Sequence, residues 1–170
     1  MQNIEINDRL QRNANNENDE ELVKKTESVW PPARQAMSLR MDSISANEEF
    51  ARVTVAVFAA RLDPTLEEID DIKTAVSEAV TNAIIHGYQN GEGVISIEAA
   101  VEENVLSVTV SDDGVGIKNV EQAMEPMFST LPEERSGMGF SFMEAFMDRI
   151  EVVSAPGKGT SVTMRKKIGR

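Results

Sequence analysis

Three short stretches of this chain hold residues whose types and spacing can do chemistry. Glu78 and Asn82 stand four apart in a helical pattern, so their side chains share a face, and His86 continues the row. A carboxylate aligned with a carboxamide can serve a reacting hydroxyl and a hydrated Mg2+ together, because magnesium takes oxygen ligands and keeps several waters. The same pair also reads as a plain polar helix face, and His86 as a helix-end residue. Asp112-Asp113-Gly114-Val115-Gly116 comes directly after a strand-like run. Glycines there let the backbone approach a ligand closely, and a strand-end carboxylate can accept a hydrogen bond from an exocyclic amine such as that of adenine. A tight turn uses the same residue types. Arg135-Ser136-Gly137-Met138-Gly139 opens an apolar helix. Glycines at a helix N-terminus present free N–H groups to an anion, and Arg135 can add a charge-assisted contact to a terminal phosphate. This spacing is neither the dinucleotide fingerprint nor a P-loop, since no Gly-Lys-Ser/Thr follows.

The elements that must position these groups are legible from periodicity. Arg40 to Ile44 suits a short edge strand. Ser45-Ala46-Asn47-Glu48 has capping-box spacing and opens a helix with Phe50, Val53, Val57 and Phe58 on one side. Asp63-Pro64-Thr65 marks a second helix start, with Asp63 as cap and Pro64 in the first turn. Leu66, Ile69, Ile72, Val76, Val80 and Ala83 recur at helical spacing to about His86, where Gly87 stops the helix. Val94 to Val101 and Val105 to Ser111, separated by Glu102-Glu103-Asn104, form a hairpin pattern. A looser region follows, with a short helix near Val120 to Met124. Phe140 to Met147 is apolar on nearly every side, which predicts a buried helix. Ile150 to Ser154 and Thr160 to Met164 make a second hairpin around residues 155–159. Helices and strands come in blocks, which favours an α+β two-layer sandwich over a doubly wound sheet.

The 170 residues suffice for one domain with a sizeable core, and the 41% hydrophobic and 27% charged content is ordinary for a soluble globular protein. Cysteine is absent, which excludes disulfides, thiolate metal sites and cysteine nucleophiles. No apolar run has the length to cross a bilayer and no signal pattern opens the chain, so no membrane association and a cytoplasmic location are expected. The net charge of −12 argues against direct nucleic-acid binding and suits either solubility or a basic partner. Residues 1–36 differ from the rest: Asn13 to Glu21 is polar and low in complexity, and Trp30-Pro31-Pro32 breaks any helix. They read as a flexible extension before a domain over residues 37–170, with docking of Trp30 on the domain or a partner as the alternative.

The order of the three motifs, Glu-x-x-x-Asn on a helix, then strand–Asp-x-Gly-x-Gly, then Gly-x-Gly opening a helix, resembles the boxes of the GHKL (Bergerat-type) ATP-binding fold. The wording is closer still. Ser77 to Tyr88, Glu49 to Val55 and Glu134 to Phe140 resemble the bacterial sporulation anti-sigma F factors, which are serine kinases. The likeness covers about Met37 to the C-terminus. It implies a mixed, mostly antiparallel sheet and binding of ATP with Mg2+. Residue by residue, it implies that Glu78 is the catalytic base, Asn82 the Mg2+ ligand, and Asp112 the adenine-reading carboxylate. Gly114 and Gly116 would shape the adenine side. Gly137 and Gly139 would line the phosphates, with Arg135 on the γ-phosphate, Thr160 near adenine, and Arg52 at a partner surface. The implied partners are a sporulation sigma factor, which the protein would inhibit, and an anti-anti-sigma protein phosphorylated on serine. A homodimer is implied too. Sigma factors carry DNA-binding surfaces, so an acidic inhibitor is electrostatically reasonable. Two other readings share the sequence: a switch kinase of the same fold acting on a stress-response sigma factor, and a nucleotide-binding module without transfer activity.

Overall fold

Period-two burial builds the sheet. In β2 (Val94–Glu102) and β3 (Val105–Asp112) alternate residues are buried, so Ile95, Ile97, Leu106, Val108 and Val110 point to one side. The computed structural model describes residues 34–125 and 138–169, which lie in one compact unit. Its five strands are β1 (Arg34–Asp42), β2, β3, β4 (Arg149–Ser154) and β5 (Thr160–Lys167), in the order β1-β2-β3-β5-β4. All four pairings are antiparallel. One face carries the core. The other carries Thr109 and Ser111 of β3, whose hydroxyls pair at 3.0 Å with those of Thr163 and Ser161 on β5.

The helical layer consists of α1 (Ala46–Ala59), α2 (Leu66–Asn82), the short α3 (Val120–Met124) and α4 (Gly139–Phe146). α1 and α4 both pack on α2. Ile72, Val76 and Val80 of α2 join the sheet's inner residues and Met143 of α4 in one buried cluster. Each such fully buried aliphatic side chain stabilises the fold by roughly 1.5–3 kcal/mol, which makes α2 the helix the layer depends on most. The α+β sandwich expected from the sequence is the observed architecture.

Several local expectations give way. β1 begins at Arg34 and pairs from Arg34↔Glu102, well before Arg40. It is an edge strand with one open face, so its inward set, Met37, Leu39 and Met41, alternates with polar residues and signals weakly. Ser45 precedes α1 but caps nothing with its side chain. The orphan ends are met by the backbone, Glu48 N–H donating to Ser45 C=O, while Asn47 Nδ2 donates to Asp42 C=O. The buried face of α1 is Ala51, Val55, Phe58 and Ala59, where small residues let it lie close to α2. Phe50, Val53 and Val57 face outward instead. α2 starts later than Asp63. Thr65 is its cap, in a full capping box with Glu68, and Asp63 takes a left-handed turn at φ 51°. α4 buries Met143 inside the helix and Met147 just beyond it, with Glu144 and Ala145 exposed, because its remaining faces meet a cavity and the surface. The expected extension over residues 1–36 falls almost wholly outside the described residues.

Two polar ties close the far end of the layer. Lys166 Nζ donates to Asp71 Oδ2 on α2 (3.0 Å) and to the Phe146 carbonyl at the end of α4 (2.7 Å). Glu68 accepts from Thr65 N–H and Gly169 N–H, which holds its carboxyl below the usual glutamate range.

Candidate active site

The helical period of α2 ends in a wider turn. From Ala83 to Gly87 the chain takes a π-helical turn, a feature frequent at functional sites. It delivers Gly87 against the end of β3, so closely that a Cβ there would sit 2.7 Å from Asp112 Oδ1. The Gly87 carbonyl accepts from Val115 N–H at 2.9 Å. The Asp112–Gly116 turn is thus fastened to the end of α2. On its other side it is fastened to the β4–β5 hairpin, with Gly159 N–H donating to the Gly114 carbonyl and Gly157 N–H to that of Val115. Gly116 at φ 69° and Gly159 at φ 72° make this crossing possible. A side chain on Gly116 would collide with the Ala155 carbonyl, and one on Gly159 with that of Asp112.

Between these parts lies a cavity of about 690 Å3, a volume typical of small-molecule sites. Glu78, Asn82 and His86 line it from α2 and the π turn, Asp112 and Gly116 from β3 and its turn, Thr160 from β5, and Gly139 from α4. Val110 and Val162 give it an apolar floor. Of the sequence-predicted residues, Glu78, Asn82, Asp112, Gly116, Gly139 and Thr160 are therefore brought together from four segments of the chain. Gly139 approaches the α2 row so closely that a Cβ would lie 3.1 Å from Glu78 Oε2 and 3.2 Å from Asn82 Oδ1. The first free N–H groups of α4 accordingly open beside the carboxylate and carboxamide, the arrangement an anion and its reacting partner require.

Asp112 is buried, at 8% exposure, and accepts from Gly114 N–H through Oδ1 at 2.9 Å. Burial pushes its carboxyl above the usual aspartate range. The N–H groups of Gly114 and Thr160 oppose that rise, and the neighbouring Asp113 charge adds to it. Thr160 is held by the Ser154 hydroxyl at 3.0 Å, and Ser154 itself donates to the Gly159 carbonyl. Asn82 supplies an oxygen donor at the α4 end, beside the Glu78 carboxylate. It fits a magnesium ion whose other ligands come from phosphate and water, as this ion prefers.

Arg135 and Gly137 lie outside the described residues. Gly114 contacts the Gly87 backbone and shapes the turn from behind the cavity wall. Arg52 is not among the residues lining the cavity. It sits on α1 with its guanidinium 3.3 Å from both Glu48 and Glu49 carboxylates. Sequence reasoning missed Lys118, Gln122, Phe140 and Phe142, which also line the cavity. For Gln122 the signal was the Asn119 cap that its own N–H satisfies.

Residues 44–166 match the family model described as a histidine kinase-like ATPase domain. Curated relatives named anti-sigma F factor include one from Clostridium acetobutylicum, 61% identical over 77% of this chain and 92% of its own length. Another, from Caldanaerobacter subterraneus, is 60% identical over 79% of this chain and 94% of its own. A third, from Bacillus thuringiensis, is 55% identical over 78% of this chain and 92% of its own. Among solved structures, the RsbU and RsbW domains of Rv1364c from Mycobacterium tuberculosis align with a TM-score of 0.58 at 20% identity. That alignment covers 80% of this chain and 32% of that one, and it bears on the fold alone. The three motifs, the antiparallel sheet under one helical layer and these relatives agree: the chain belongs to the anti-sigma F factor family and carries the histidine kinase-like ATPase domain.

Proposed function

We propose that the protein binds and inhibits a sporulation sigma factor and, using ATP with Mg2+, phosphorylates a serine of an anti-anti-sigma antagonist. The observation that carries the kinase half is the meeting of Glu78 and Asn82 with Gly139 at the start of α4, inside a cavity that also holds Asp112. Phosphoryl transfer asks the protein mainly to position groups and to neutralise charge. Asp112 accepts from the adenine amine, with Thr160 and the Gly116 turn framing that end. Gly139, with Gly137 and Arg135, takes the phosphates. Asn82 is the protein oxygen for Mg2+, which when bound supplies charge neutralisation on the phosphates. Glu78 accepts the proton of the substrate serine as its oxygen bonds to the terminal phosphorus and the bond to the ADP oxygen breaks.

The inhibitory half rests on the names of the relatives and on α1. Phe50 and Val57 are 56% and 68% exposed there, with Val53 beside them, an apolar outward stripe on the helix that carries Arg52. We assign the sigma factor to this face, consistent with a net charge of −12 meeting a basic partner. A homodimer and a cytoplasmic location complete the reading. No helix among the described residues is long and apolar enough to cross a membrane.

The test is incubation with γ-labelled ATP, Mg2+ and the antagonist protein, beside a sigma-factor binding assay. Label on an antagonist serine is expected. Nucleotide binding with no label would instead leave a binding module, and capture of a stress-response sigma factor in preference to a sporulation one would change the partner.

A further inference from the structure

Tyr88 follows the π turn directly, and its ring packs on the core beside Gly93, where any side chain would strike it. Its hydroxyl lies between two backbones. It donates to the Val94 carbonyl at the start of β2 (2.7 Å) and accepts from Asp113 N–H (2.9 Å). Asp113 is the residue after the adenine-facing Asp112, and Val94 is the first residue of a strand in the sheet's interior order. The hydroxyl therefore ties the turn that aims Asp112 to a rigid element.

We infer that Tyr88 is a positioning residue that fixes the Asp112 carboxylate for adenine, and so sets base selectivity as well as nucleotide affinity. This rests on the nucleotide reading above. The backbone beyond Asp113 has separate restraints. Val115 N–H reaches the Gly87 carbonyl, and Gly114 N–H reaches the carboxylate itself. Asp113 N–H has the Tyr88 hydroxyl as its partner. Without that bond the peptide joining Asp112 to Asp113 can rotate, and a carboxylate that reads an exocyclic amine by direction tolerates rotation poorly. The effect belongs to the base end of the cavity, so ATP and ADP lose affinity alike. Guanine, which presents a carbonyl where adenine presents its amine, gains relative to adenine as the carboxylate loosens.

The experiment compares the full chain with Tyr88→Phe, which keeps the ring and removes both hydrogen bonds, using fluorescent ATP, ADP and GTP analogues and thermal melting. The expected result is a loss of about tenfold in affinity for ATP and ADP equally, the scale of two lost hydrogen bonds. A narrowed preference for ATP over GTP accompanies it. A lowered melting temperature with unchanged affinity and unchanged preference, measured well below melting, makes Tyr88 structural only and overturns the proposal. A second measurement needs no variant. Tyr88 is the chain's sole tyrosine, so 3-fluorotyrosine labelling gives one fluorine resonance. Saturating ADP is expected to shift it, and an unmoved resonance contradicts the assignment. Should the unaltered chain bind none of the nucleotides, the underlying reading fails and this one with it.

Discussion

At the residue scale, Asp112 carries a conflict between stability and recognition. Its raised pKa means that folding favours the protonated form, so its contribution to stability is full at low pH and lost as pH rises through the folded value. Adenine reading has the opposite sign, because an ionised carboxylate is the better acceptor. Nucleotide affinity is therefore expected to fall on acidification with a midpoint above the ordinary aspartate range, as read by binding titrations across pH. Asp112→Asn should raise the melting temperature of the free protein at neutral pH and weaken ATP binding by about tenfold or more, as losing a charge-assisted bond implies. A variant that melts higher yet binds normally would show that another group reads the base. Groups placed where they destabilise the free fold are a recurring mark of functional sites.

At the scale of elements, α4 is held at both ends for different reasons. Its first residue meets Glu78 and Asn82, while its last carbonyl is held by Lys166, which also pairs with Asp71 on α2. Lys166→Met leaves a half-buried aspartate and a helix-end carbonyl without their cation, and should cost about 1–3 kcal/mol in urea unfolding. An unchanged midpoint would mean that solvent satisfies both groups. Much at this scale was legible in the sequence. The β2–β3 and β4–β5 hairpins announce themselves by period two, and the Glu78–Asn82 row by helical spacing. α1 was misread because large side chains were taken as its core, whereas Ala51, Val55 and Ala59 do the close packing. Tyr88 and Lys118 gave no local pattern at all. Their roles exist only after β2, β3 and the π turn have come together, which no spacing within one segment encodes.

At the scale of the molecule, the cavity and the α1 face are separate surfaces with separate expected chemistry. Phe50→Glu places a charge in the outward apolar stripe, and should weaken sigma-factor binding about tenfold or more while leaving ATP affinity unchanged. Added salt should weaken the same complex through slower association, given the net charge of −12. Loss of nucleotide binding in Phe50→Glu would mean that the two surfaces are one. The central claim, that this cavity transfers phosphate, concentrates on one oxygen pair. The most direct measurement sets Glu78→Gln beside the unaltered chain, with ATP affinity by titration and label transfer to the antagonist serine in single turnover. Retained affinity with transfer slowed by about 10²–10⁴-fold, the usual share of a general base, is the predicted result. Transfer at the unaltered rate would contradict it.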